Sequence, residues 1–162
     1  MASTPIASRP HMPGYGLLAA DQGSGLKPWS YAVERLTRTR GYWISTTCPD
    51  GRPHSVPIWG VWLKDVFAFS TGAQSVKTKN LANDPRVVIG VEPTEDSIVL
   101  EGVAKLQPDP GFLREFKAVY AKKYDMDMDD FAEPVWVVTP TRAFSFGSKG
   151  DDFTAGSTRW KF

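Results

Sequence analysis

Residues 42–71 read YWISTTCPDGRPHSVPIWGVWLKDVFAFST, and this stretch decides the fold. Tyr42 to Thr47 is β-branched and aromatic, and Pro49-Asp50-Gly51 after it is a turn signal. Pro53 to Leu63 reads as a second strand, with Pro53 and Pro57 placing an edge or a bulge near its start. Lys64-Asp65 links it tightly to Val66–Thr71. The expectation is a three-stranded antiparallel meander.

The same logic extends in both directions. Upstream, Trp29, Val33 and Leu36 fall at i, i+4 and i+7, one face of a helix that Gly41 can stop. Downstream, Ser75 to Asn83 reads as a short helix capped by Ser75 and closed by Asp84-Pro85. Arg86 to Glu92 and Ser97 to Gln107 read as strands, with Gly102 marking a bend or a close approach. Asp109-Pro110 opens a helix whose one face carries Phe112, Phe116, Val119 and Tyr120. Asp125 to Asp130 is an acidic loop. Val135 to Val138 is a strand that Arg142 to Phe146 continues or follows. Six or so strands on short turns argue for an antiparallel sheet closed into a barrel, which removes edge strands. Two or three helices would cover its ends. Residues 1–28, with four prolines and four glycines, form an arm, and 29–162 a single domain with a C-terminal tail.

Composition removes several classes of function. Lys plus Arg total 19 against 18 for Asp plus Glu, so no global basic field exists for nucleic acid or membrane. The single cysteine, Cys48, excludes an internal disulfide framework and a cysteine-rich zinc site. No apolar run approaches the roughly 20 residues of a spanning helix. The first residues lack the apolar core of a signal peptide. The expected setting is the cytoplasm.

What remains is a candidate anion site. Ser70 to Arg86 follows a strand and opens a helix, offering hydroxyls, free backbone N–H groups and two lysines within a few residues. Lys77 and Lys79 lie about 200° apart around a helix, so both cannot face one phosphate. Lys77, nearer the start, is the expected ligand, and Asn80, three residues on, could orient it. The same spacing also fits a solvated helix with Leu81 in the core. On the strand before it, His54, Val56 and Ile58 share one face, and Ser55, Pro57 and Trp59 the other. An edge at Pro57 could admit a flat ring, or could simply be twisted. No serine elbow or metal-ligand spacing is present. Of the six tryptophans, Trp59, Trp62, Trp136 and Trp160 could line a ring-binding cleft or pack in the core. Arg142 and Arg159 could supply charge from a second subunit.

The order Thr-Thr-(x2)-Asp-Gly-Arg-Pro-His-(x1)-Val-Pro-(x1)-Trp, then Phe-(x1)-Phe-Ser-Thr-Gly, then Ser-Val-Lys-Thr-Lys-Asn-Leu-Ala-Asn-Asp-Pro-Arg-Val, then Leu-Glu-Gly-Val-Ala resembles the pyridoxamine 5′-phosphate oxidase-like split-barrel superfamily over about residues 29–147. The resemblance implies a mainly β (α+β) fold, a six- or seven-stranded antiparallel split β-barrel with flanking helices. It implies a homodimer with two cofactor sites at the subunit interface. By position, Lys77 and Ser75 would hold the cofactor phosphate with Ser70 and Thr71 alongside, Asn80 is counted with them in the cofactor site, and His54, Ser55, Val56, Pro57 and Trp59 would run past its ring. Trp136, Arg142, Arg159 and Trp160 would reach a partner subunit. Many relatives carry an arginine just before the phosphate lysine, where this chain has Val76. The deazaflavin branch, using coenzyme F420, is therefore the better match, with FMN as the alternative and a non-catalytic cofactor- or haem-binding protein as a third reading. In either redox reading the cofactor carries the chemistry, so no catalytic side chain is expected.

Overall fold

A computed structural model describes residues 4–19, 22, 24–91, 97–148 and 150–162. Glu92, the expected end of one strand, and residues 1–3, 20, 21 and 23 of the arm lie outside them. Nine strands form one sheet: β1 Ile6–Ser8, β2 Tyr42–Thr47, β3 Pro53–Ile58, β4 Gly60–Leu63, β5 Val66–Ser70, β6 Arg86–Val91, β7 Ile98–Leu106, β8 Val135–Ser145 and β9 Thr158–Lys161. The helices are α1 Trp29–Arg38, α2 Val76–Asn83, α3 Pro110–Tyr124 and α4 Gly150–Gly156.

The sheet runs β1-β9-β8-β7-β6-β2-β3, and the β4–β5 hairpin joins it through β8. Strand β8 is long enough to serve two partners on one edge. Val135–Val138 pairs with β5 and Arg142–Ser145 with β9, while β7 lines the other edge. The handover sits at a register shift, where Glu101 pairs with Arg142 and Gly102 with Pro140. This shared strand is what splits the barrel.

Two findings differ from the expectation. Residues 53–63 form two strands, so no three-stranded meander exists: β3 pairs with β2, and β4 with β5. The arm is also partly ordered, since β1 pairs with β9. Arg9 beyond it is buried and donates to the carbonyls of Gln22, Ala155 and Ser24. Together with β9 in the tail, these changes raise the strand number from six or seven to nine.

Two apolar clusters hold the fold. The barrel interior collects Leu36, Tyr42, Ile44, Phe67, Phe69, Ile89, Leu100, Val138 and Trp160. A second cluster lies under α3, joining Phe112, Phe116, Tyr120 and Tyr124 to Val61, Ala68, Val135 and Val137. The start of β8 is thus buried on both faces, which explains its unbroken Val-Trp-Val-Val run. Helix α1 buries Ala32 and Leu36, with Val33 half-exposed at the flank of that stripe. No helix among the described residues is long and apolar enough to cross a membrane.

The break between β3 and β4 is built at Gly60. A Cβ there would collide with the Phe67 ring and stand 2.9 Å from the Ala68 carbonyl oxygen. The end of α3 grips the same residue. The Gly60 N–H donates to Tyr124 Oη at 2.9 Å, and Lys123 Nζ donates to the Gly60 carbonyl at 3.0 Å and to Tyr42 Oη at 2.6 Å. Burial, and secondarily the Arg40 charge, lowers Lys123 from 10.5 to about 8. The folded chain therefore sheds this proton before the unfolded one does. The penalty for burying the charge is fully present below about pH 8 and is relieved as pH rises toward about 10.5. Wild-type protein should gain stability relative to Lys123→Met between about pH 7 and about pH 9.5 in urea unfolding, and an unchanged difference would refute the depressed titration.

Candidate functional site

The corner after β5 is tied internally before any ligand arrives. Ser75 caps α2, its Oγ accepting from the Thr78 N–H at 3.2 Å. Thr71 Oγ1 lies 3.1 Å from Ser75 Oγ, and the Ser75 N–H and Thr78 Oγ1 both donate to the Gly72 carbonyl. Ser70 Oγ donates to the Pro134 carbonyl at 2.9 Å. Capping satisfies one of the helix's orphan donors and leaves those of Val76 and Lys77, which take no partner among the described residues. Lys77 is half-buried and makes no hydrogen bond or ion pair among the described residues, whereas Lys79 is exposed. Val76 is 51% exposed at the mouth of the corner.

Asn80 is a correction. It is 1% exposed, and its Nδ2 donates to Thr46 Oγ1 at 2.9 Å and to Cys48 Sγ at 3.6 Å. Helix α2 seats Asn80 with Leu81 on the barrel side, and a buried amide must find acceptors there rather than orient Lys77. The bond still serves the site, because Thr46 pairs across the ladder with His54. One side chain thus fixes α2 to the strand pair that carries the second candidate element.

That element is β3, the last strand of the path. Its far edge pairs with no strand among the described residues. His54 and Val56 point to the barrel side and Ser55, Pro57 and Trp59 outward, as alternation requires. His54 Nδ1 is buried with no hydrogen-bond partner among the described residues. Ser45 Oγ donates to Ser55 Oγ at 3.0 Å, and Pro57 lies opposite Trp43. Trp59, 50% exposed, stacks on Tyr124 with ring centroids 4.7 Å apart and planes 5° from parallel.

The tryptophans do not converge on a cleft. Trp136 and Trp160 are 5% and 0% exposed in the barrel core, so neither side chain can reach a second subunit. Trp160 Nε1 donates to the Lys27 carbonyl, and Trp62 and Trp160 both meet Trp29 edge to face. Arg159 is held by its own chain, donating to Ser8 Oγ at 3.0 Å. Arg142 stays exposed, paired with Glu101 at 3.0 Å.

Arg142 borders a feature that strand-by-strand reading misses: an outer groove of about 640 Å³ spanning β2, β3 and β6 to β8, lined among others by Thr46, Pro53, Val103 and Arg86. Hydrogen bonding from Arg86 holds the Asp84 carboxyl down at about 2, and this pair closes the turn from α2 into β6. Val103, an apolar residue 42% exposed, is part of its lining. The groove's walls come from strands far apart in the chain.

The family model for pyridoxamine 5′-phosphate oxidase matches residues 31–146. No curated protein matches the chain. Among solved structures, a conserved hypothetical protein from Mycobacterium tuberculosis is similar, at 22% identity and TM-score 0.69 over 79% of this chain and 89% of that one. An F420 reductase aligns at 23% identity and TM-score 0.56 over 68% of this chain and 93% of its own. A haem-binding protein from Mycobacterium smegmatis aligns at 23% identity and TM-score 0.61 over 76% of this chain, which spans 56% of that protein's length. At these identities the structures share the fold. With a shared β8 dividing the barrel and the family pattern covering residues 31–146, the chain belongs to the pyridoxamine 5′-phosphate oxidase-like split-barrel family.

Proposed function

We propose that this chain is an oxidoreductase that works as a homodimer and holds the deazaflavin coenzyme F420 by its phosphate at the β5–α2 corner. The observation that carries the reading is the state of that corner. It presents two amides, at Val76 and Lys77, and a Lys77 side chain that have no partner among the described residues, together with the Thr71–Ser75 hydroxyl pair. A helix N-terminus with a free cation is suited to a phosphate. Beside it, anchored through Thr46, the open edge of β3 offers backbone groups to the polar rim of a flat ring. Ser55, Pro57 and Trp59 would flank that ring from the outward face. Bound coenzyme supplies two-electron hydride transfer to a small organic substrate. The protein's part is to bind, orient and exclude water. Val103, exposed in the outer groove with Arg142 on the same lining, and the separately exposed Trp43 and Trp59 are apolar positions that a second copy would cover. The proposed setting is the cytoplasm, where the buried thiol of Cys48 stays reduced.

The test is a fluorescence titration of the protein with F420 and FMN side by side. F420 should bind saturably, and Lys77→Ala should weaken it about tenfold or more, the loss expected for one charge-assisted hydrogen bond. Tight FMN binding without F420 binding would replace the coenzyme in this reading. Failure of both, or an unchanged Kd in Lys77→Ala, would remove it.

A further inference from the structure

Helix α3 has two distinct sides. Phe112, Phe116, Tyr120 and Tyr124 form its core stripe. Pro110, Leu113, Arg114 and Lys117, at i, i+3, i+4 and i+7, form a neighbouring stripe that faces the segment Phe131–Glu133. Between them lies a cavity of about 370 Å³, bounded also by Val135. Ligand pockets start at about this size.

The lining is apolar except for three groups, and their charges are not matched. Arg114 and Lys117 sit one helical turn apart, and neither forms an ion pair among the described residues. The neighbouring acid on the helix, Glu115, is taken by Lys64. The one carboxylate of the lining, Glu133, reaches to 4.0 Å from where a Cβ on Gly72 would stand, and it pairs with neither cation. The Phe131 ring packs on Phe116 at 6.3 Å, and Lys117 Nζ stands 5.8 Å from the same ring, so the cation borders the apolar pocket. Asp109 lies near Arg114 at the start of α3 without forming an ion pair with it, so two adjacent cations unpaired among the described residues border an apolar pocket, a setting that suits an anion carrying its own apolar body.

We propose that this cavity binds a small amphiphilic carboxylate, its aliphatic or aromatic body against Leu113, Phe131 and Val135 and its carboxylate between Arg114 and Lys117. The cavity shares no lining residue with the corner at 70–77, although its wall touches that corner through Glu133 near Gly72 and Pro134 hydrogen-bonded to Ser70; the titration is read without coenzyme, so its failure is distinguishable from failure of the coenzyme site.

Octanoate is the probe, titrated into the full chain by calorimetry, with octanol as the neutral counterpart. Saturable one-to-one octanoate binding is expected, at least tenfold tighter than octanol. The Arg114→Gln/Lys117→Gln variant should lose at least tenfold in octanoate affinity with its circular dichroism unchanged. Ala132→Trp, which fills the mouth without altering charge, should abolish binding, and it carries the test if the double variant does not fold. No octanoate binding, equal affinity for octanol, or binding unaffected by charge removal or by Ala132→Trp would each overturn the proposal.

Discussion

Replacing Trp160 with alanine is expected to lower the melting temperature by about 10 °C or more. The indole is 0% exposed although it stands between two charged residues, Arg159 and Lys161. It packs edge to face on Trp29 at 5.5 Å, and its Nε1 donates to the Lys27 carbonyl at 3.1 Å. Truncation would leave a cavity among Trp29, β8 and β9 and an unpaired carbonyl. Aromatic-to-alanine changes in cores cost about 3–5 kcal/mol, a large share of the roughly 5–15 kcal/mol that separates folded from unfolded chains. Trp160→Phe keeps most of the ring and loses the N–H, so it should cost about 1–2 kcal/mol. Calorimetry of both variants decides. A shift below about 3 °C for Trp160→Ala would mean that β9 does not belong to the cooperative core.

Gly102→Ala is the second large effect. A Cβ at Gly102 would stand 2.5 Å from the Thr139 carbonyl oxygen and 2.6 Å from Val138 Cγ1. The first of these is backbone of β8 at the register shift, where Thr139 pairs with Val103 of β7 and lies between the stretches of β8 that pair with β5 and β9, so it cannot retreat without disturbing that pairing. Overpacking of this kind costs about 1–3 kcal/mol, and the rigid neighbour puts the change at the upper end. Gly41→Ala is the control, since nothing lies within 4 Å of its added Cβ and its backbone is unstrained. Equal denaturation midpoints for the two variants would refute the steric account.

The legible parts of the fold were those that local chemistry dictates. The strand at Tyr42–Thr47, the Lys64-Asp65 turn with both residues at positive φ, and the Ser75 and Asp109 caps all follow from residue type and spacing. The split of residues 53–63 did not follow, because its cause is the Phe67 ring against Gly60, a contact made only when β4 folds on β5. Asn80 was misplaced because spacing from Lys77 says which residues share a helix face, not which face meets β2. The burial of Trp136 and Trp160 depends on β8 receiving three partners, which no window of sequence contains. Helix α4 was missed since Gly-Asp-Asp-Phe-Thr-Ala-Gly is a poor helix former. At the candidate site, the Ser75 cap was readable, while the anchoring of α2 to β3 through Thr46 was not.

Pairing of β1 with β9 also sets a timetable for making the protein. Ile6 lies opposite Lys161, so β1 is synthesised well before the strand it pairs with exists. During that interval the edge of β8 that β9 will occupy is bare, and Ala7 and Trp29 have no Trp160 to meet. Contacts of such long sequence separation form late and slowly, and unpaired edges invite association with other chains. Production yield of this protein should therefore depend on how quickly β9 docks between β1 and β8, as well as on the stability of the finished barrel.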